Sequence, residues 1–176
     1  MYQRILVPVD GSETSNRGLD EAISLARVTG GRIRLLHVVD VMPCGYVMET
    51  CSDCHVDRLA ALSEEGRKLL ETAQTRAADA CVPAEAVLHE DLQRRFIECV
   101  SEEIKSWNAD LVVIGTHGRQ GVRRLLLGSD ADRIVRSAQV PVLLVRLARV
   151  VPAATVVDES RTVHVHLPSA ALSIER

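Results

Sequence analysis

The chain has 176 residues, with 21 Lys and Arg against 24 Asp and Glu and a formal net charge of −3. Apolar residues make up 47% and charged residues 26%, the composition of a globular domain rather than of a disordered chain. The slight acidic balance supplies no basic field for nucleic acid, and an aromatic content of 2% (Tyr2, Tyr46, Phe96 and Trp107) is too thin for a base-stacking platform.

A chain of this length forms one domain that buries roughly 70% of its unfolded surface without staples. No stretch reaches the ~18 apolar residues of a membrane helix. The first apolar run, Ile5 to Val9, contains Pro8 and ends at Asp10, too short for a signal-peptide core. A cytoplasmic protein without a membrane partner is therefore expected. The cysteine count is five, an odd number that argues against a disulfide scaffold.

Taken in chain order, Ile5–Val9 reads as a buried strand ended by Asp10-Gly11-Ser12. Leu19, Ala22, Ile23 and Ala26 share one helical face, and Gly30-Gly31 supplies the stop. Ile33–Val39 is the second strand, followed by a loop from Asp40 to Val56. Leu59, Leu62, Leu69, Leu70, Ala73 and Ala77 mark a long helix, weakened by Gly66. Ala86–Leu88 is a short third strand. Phe96, Val100 and Ile104 step along a helix that ends near Asn108, and Leu111–Ile114 is the fourth strand. Ile134, Val135 and Ala138 define a last helix, and Val142–Val145 the fifth strand. Cys81 and Cys99 fall in helical patterns and read as small core residues.

Strands alternating with helices imply βαβ units and a parallel sheet covered on both faces. Right-handed crossovers make a doubly wound five-stranded sheet in order 3-2-1-4-5 the expected α/β fold. The domain spans 1–146 and a C-terminal extension spans 147–176, which reads either as a hairpin or as a mobile tail. Val163, Val165 and Leu167 alternate there with His164 and His166; two histidines on one strand face suit a metal, but an exposed face is the plainer reading.

In that strand order the first and fourth strands are neighbours whose connections leave on opposite faces, and ligands bind beyond the strand ends at this switch point. Asp10 ends the first strand and Gly115 the fourth. From Gly115 the sequence continues Thr116-His117-Gly118-Arg119-Gln120-Gly121-Val122-Arg123-Arg124-Leu125-Leu126-Leu127-Gly128-Ser129. Its glycines let backbone amides approach an anion, and Gly128-Ser129 opens a helix whose first amides favour phosphate. The spacing is neither GxxxxGK[ST] nor GxGxxG. A ligand-free connection is the alternative for this loop, a helix cap the alternative for Asp10, and a solvated face the alternative for Arg119, Arg123 and Arg124.

Gly115, Gly118, Gly128 and Ser129 reproduce the spacing Gly, two residues, Gly, nine residues, Gly-Ser. With the opening Ile5-Leu6-Val7-Pro8-Val9-Asp10-Gly11-Ser12, the strand Leu35-Leu36-His37-Val38 and the closing Pro141-Val142-Leu143-Leu144-Val145, the chain resembles the universal stress protein family from residue 1 to about Arg146. The resemblance implies a flavodoxin-like (adenine nucleotide alpha hydrolase-like) domain that binds ATP, commonly with Mg²⁺. It implies a homodimer through the fifth strand and a stress-linked regulator, read by a protein partner, with little or slow hydrolysis. Carried over by position, Asp10 and Val38 meet the adenine, with Pro8 and Val9 lining that end. Gly115 sits against the ribose, and Gly118, Gly128 and Ser129 hold the phosphates. From the residues alone, His117 and Arg119 read as phosphate contacts, with an exposed loop histidine and a solvated face as the alternatives.

Two positions depart from that pattern. Asp130 stands where a small or apolar residue is common, and a carboxylate about 6 Å from a phosphate costs roughly 3 kcal/mol at an effective dielectric of about 20. Mg²⁺ between the two, or Asp130 turned outward, removes that cost. Glu90-Asp91-Leu92 replaces a Gly, acid, Pro turn away from the site.

A second constellation is Cys44, Cys51, Cys54 and His55. Cys51-Ser52-Asp53-Cys54-His55 matches CxxCH, the c-type haem pattern, but no export signal accompanies it. Four soft ligands suit zinc, and a CxxC pair suits a thiol switch; an incidental polar loop is the third reading. A metal or thiol sensor run by this loop and a slow nucleotide hydrolase are thus the rival functions. No GxSxG, HExxH or paired CxxC motif supports other catalysis.

Overall fold

The computed structural model describes residues 1–39, 52–91, 94–116 and 128–147, with residues 52–57 described as helix backbone. The elements are β1 (Arg4–Pro8), α1 (Glu13–Thr29), β2 (Arg32–Val38), α2 (Ser52–Asp79), β3 (Ala84–His89), α3 (Phe96–Ser106), β4 (Leu111–Gly115), α4 (Ser129–Ser137) and β5 (Val142–Val145). All four strand pairings are parallel and the order is β3-β2-β1-β4-β5, as the sequence predicts.

Both faces of the central strands are covered, so their apolar residues run without alternation. Ile5, Val7, Ile33, Leu35 and Val113 point into one core with Leu19, Ala22 and Ala26 of α1 and Leu70, Ala73 and Ala77 of α2. Leu6, Leu36 and Val112 point into the other, against Val100 and Ile104 of α3 and Ile134 of α4. Each of the buried Ile, Leu and Val side chains among these contributes roughly 1.5–3 kcal/mol. On the α3 face Arg34 donates to Glu85 at 2.6 Å and to Glu103 at 2.9 Å, and His89 Nε2 lies 3.1 Å from Glu103. Those contacts tie β2, β3 and α3 together. Among the described residues no helix is long and apolar enough to cross a membrane.

Three sequence expectations change. α2 begins at Ser52, so Cys54 and His55 lie on helix backbone rather than in a loop extending to Val56. β3 has six residues rather than three, because an edge strand with exposed Glu85 and Ala86 lacks a continuous apolar signature. Cys81 is exposed, not core: α2 ends at Asp79, and Cys81 turns the chain with φ 59. Cys99 is buried as expected, and burial pushes its thiol pKa up, against an opposing pull from Arg94.

Two features at opposite ends of the β1–β4 seam shape the cleft. At the lower end Asp110 accepts the N–H groups of Gln3 at 2.7 Å and Arg4 at 3.0 Å, stitching β4 to β1. At the upper end the seam opens. Its registered pairs are Ile5↔Leu111 and Leu6↔Val112, and among the described residues they stop there. The N–H of Val9 points to β2, donating to Leu36 at 2.8 Å. Peptide direction alternates along a strand, so the missing N–H of Pro8 falls on the β4 side. Proline thus removes a donor where the crevice begins.

Candidate functional site

The crevice has two rims. The first is the turn from β1 into α1. Gly11 has φ 80, so the turn favours glycine, and a Cβ there would also press on Leu69 Cδ1 of α2 at 2.8 Å. Asp10 is half-buried; its Oδ1 accepts the Ser12 N–H at 2.9 Å, and its own N–H donates to Ser15 Oγ at 3.2 Å. Ser12, not Asp10, caps α1, accepting the Ser15 N–H at 3.2 Å. The aspartate therefore shapes the turn before the cap, as an Asx residue does.

The second rim is the passage from β4 to α4. Gly115 ends β4, and a Cβ there would stand 2.8 Å from the Thr14 carbonyl and 2.9 Å from the Ser15 nitrogen. The absent side chain is what lets β4 touch the first turn of α1 and brings the rims together. Beyond it, buried Thr116 donates its N–H to Val145 at 2.9 Å and accepts the Gly128 N–H at 2.8 Å. The residues on either side of 117–127 are thus joined directly.

Gly128 is the N-cap of α4, with φ −57 and ψ 147 and no side-chain capping bond. The first amides of a helix lack intrahelical acceptors, and they carry the positive end of the dipole. Ser129 is exposed at the first helical position. Asp130 is exposed beside it, with Oδ1 3.6 Å from the Arg133 guanidinium. That pairing runs along the helix surface and partly neutralises the carboxylate.

The structure thus brings Pro8, Val9, Asp10, Gly115, Gly128, Ser129 and Asp130 to the carboxyl ends of β1 and β4. Val38 ends the neighbouring β2, half-buried. His117, Gly118, Arg119, Arg123 and Arg124 lie outside the described residues, as do Cys44, Cys51, His164, His166 and the side chains of Cys54 and His55. Among the described residues no group of three metal-ligating side chains comes together. Sequence reasoning missed Ser15 and His37. The Ser12-x-x-Ser15 spacing was a usable signal for the first, whereas His37 is hidden inside an apolar run.

A doubly wound parallel sheet with glycines at its switch point defines an α/β domain of the kind that binds ligands beyond its strand ends. The Universal stress protein family pattern matches residues 1–146, and the chain belongs to that family. A universal stress protein of Methanocaldococcus jannaschii is 33% identical over 146 residues, covering 83% of each chain. The crystal structure of a universal stress protein family member from Burkholderia pseudomallei is 31% identical with a TM-score of 0.65, covering 81% of this chain and 95% of that one. A family member from Arabidopsis thaliana, solved with AMP bound, has a TM-score of 0.58 at 19% identity, covering 84% of this chain and 93% of that one.

Proposed function

We propose that this protein binds ATP in the switch-point crevice and acts as a nucleotide-dependent regulator, with little or slow hydrolysis. The observation that carries the reading is Gly128, the N-cap of α4 next to the carboxyl end of β4, which brings no side chain of its own to the first amides of the helix. A phosphate chain supplies the acceptors that such a position lacks. The AMP bound by the Arabidopsis relative is consistent with an adenine nucleotide.

In this reading Pro8, Val9, Asp10 and Val38 line the adenine end, and Gly115 faces the ribose. Gly118, Gly128 and Ser129 hold the phosphates, with His117 and Arg119 beside them. Asp130 fits a phosphate-bearing rim because its carboxylate is exposed and paired with Arg133. Mg²⁺ would accompany the triphosphate, with the Ser129 hydroxyl as the protein group nearest the task. Little or slow hydrolysis fits a site whose acids among the described residues, Asp10 and Asp130, give no clear general base.

The domain occupies 1–146, matching the family pattern, and 147–176 is an extension. A homodimer forms through β5, which ends the sheet and leaves Leu143 40% exposed. A protein partner reads the nucleotide state from the cytoplasm.

Heating protein freshly purified without added nucleotide, and assaying the supernatant for adenine nucleotides, should release near-stoichiometric ATP. If none is released and millimolar Mg-ATP also leaves the melting temperature unchanged, the reading fails. Gly128→Asp should remove ATP binding while leaving the fold intact; unchanged affinity would place the nucleotide elsewhere.

A further inference from the structure

His37 is a buried titratable side chain that the nucleotide reading leaves unused. It lies on β2 among Leu35, Leu36 and Val38 and is 7% exposed. Its Nδ1 stands 2.7 Å from the carbonyl oxygen of Val9. A carbonyl oxygen only accepts, so Nδ1 carries the proton and donates it. The far side of the ring meets α2, where a Cβ on Gly66 would lie 2.7 Å from His37 Cδ2 and 3.3 Å from Nε2. The imidazole is wedged between that helix and the end of β1.

Two positions give up stability to keep it there. A leucine at 37 would fill the core without the desolvation cost of a buried polar ring. A glycine inside α2 costs about 1 kcal/mol relative to alanine. What the pair provides is a fixed Val9 carbonyl. Val9 lies one residue past β1; its N–H already donates to Leu36, so with His37 both of its polar groups are held toward β2. Asp10 comes next, held in turn by Ser15 Oγ and by its own bond to Ser12.

We propose that His37 is a positioning residue of the nucleotide site: its bond to Val9 sets the direction of the Val9–Asp10 peptide and so aims the Asp10 carboxylate, without touching the ligand. The assignment rests on the ATP reading above. It explains why a histidine, rather than another apolar residue, stands in the middle of a core strand.

The test compares ATP dissociation constants of the full-length wild type, His37→Leu, His37→Asn and Gly66→Ala, well below each melting temperature. Asparagine places an amide N–H near the position of Nδ1. His37→Leu should weaken ATP binding about ten-fold, and His37→Asn should return it to within about two-fold of wild type. Gly66→Ala, which pushes on the ring from α2, should also weaken binding. A core-filling role would instead change melting temperatures and leave the dissociation constants alone. Folded His37→Leu with wild-type affinity, or His37→Asn no better than His37→Leu, overturns the assignment while the ATP reading stands. If His37→Leu does not fold, Gly66→Ala decides: weakened binding supports the assignment and unchanged binding overturns it. A wild type that binds no ATP overturns the nucleotide reading itself, and this assignment with it.

Discussion

The two helices that flank the crevice start from nearly the same backbone and differ in what fills the cap. Ser12 before α1 has φ −66 and ψ 158, and Gly128 before α4 has φ −57 and ψ 147. Both are ordinary extended geometries open to any L-residue. At Ser12 the hydroxyl satisfies a first-turn amide; Gly128 has no side chain with which to do so. Backbone geometry therefore does not call for glycine at 128, whereas at Gly11 and Gly115 it is demanded by a positive φ and by contact with α1. One helix start is capped by its own N-cap side chain, and the other has an N-cap residue with no side chain to offer.

The strongest way to break this comparison is to force the rims apart. Gly115→Val drives a branched side chain into the Thr14 carbonyl and should cost about 3 kcal/mol in urea unfolding. Ser12→Ala removes the built-in cap and should cost about 1 kcal/mol by the same measurement. Gly128→Ser is the reciprocal change. It should stabilise the nucleotide-free protein by a few tenths of a kcal/mol, and it should weaken ATP binding by calorimetry because the serine competes for the same amides. A gain in both would mean that the α4 amides are not the ligand's. The smallest effect on ATP binding belongs to Asp130→Asn. Losing a carboxylate from the first turn should cost about 0.3–1 kcal/mol of stability while tightening ATP binding slightly.

The sheet was legible because its central strands are buried on both faces, so Ile5–Val9 and Leu111–Ile114 stand out as apolar runs, and Ile33–Val39 as one broken by Arg34 and His37. Edge strand β3 was underestimated because only part of it faces a core. The start of α2 was hidden by the CxxCH spacing, which drew Ser52 and Asp53 into a loop reading although both are common helix-opening residues. Cys81 looked buried from periodicity because periodicity continues past a helix end that only the left-handed turn reveals. In the candidate site, Asp10 and Gly115 fall at the carboxyl ends of β1 and β4, where the sequence puts them. The division of labour was not legible: that Ser12 is the cap, that Gly115 is small for the sake of α1, and that His37 holds Val9 all depend on contacts between segments distant in sequence.

The stitch between Asp110 and the start of β1 bears on the order in which the molecule is made. Asp110 bonds to Gln3 across 107 positions of chain, and Ile5 waits for Leu111 before the crevice has a second wall. Strands β1, β2 and β3 are sequence neighbours in one half of the sheet and can pair as they emerge. Closing the β1–β4 seam requires a far longer loop, which slows folding more than it weakens the product. The ligand cleft is therefore among the last features to form, and a chain halted before β4 carries the Asp10 rim with nothing opposite it.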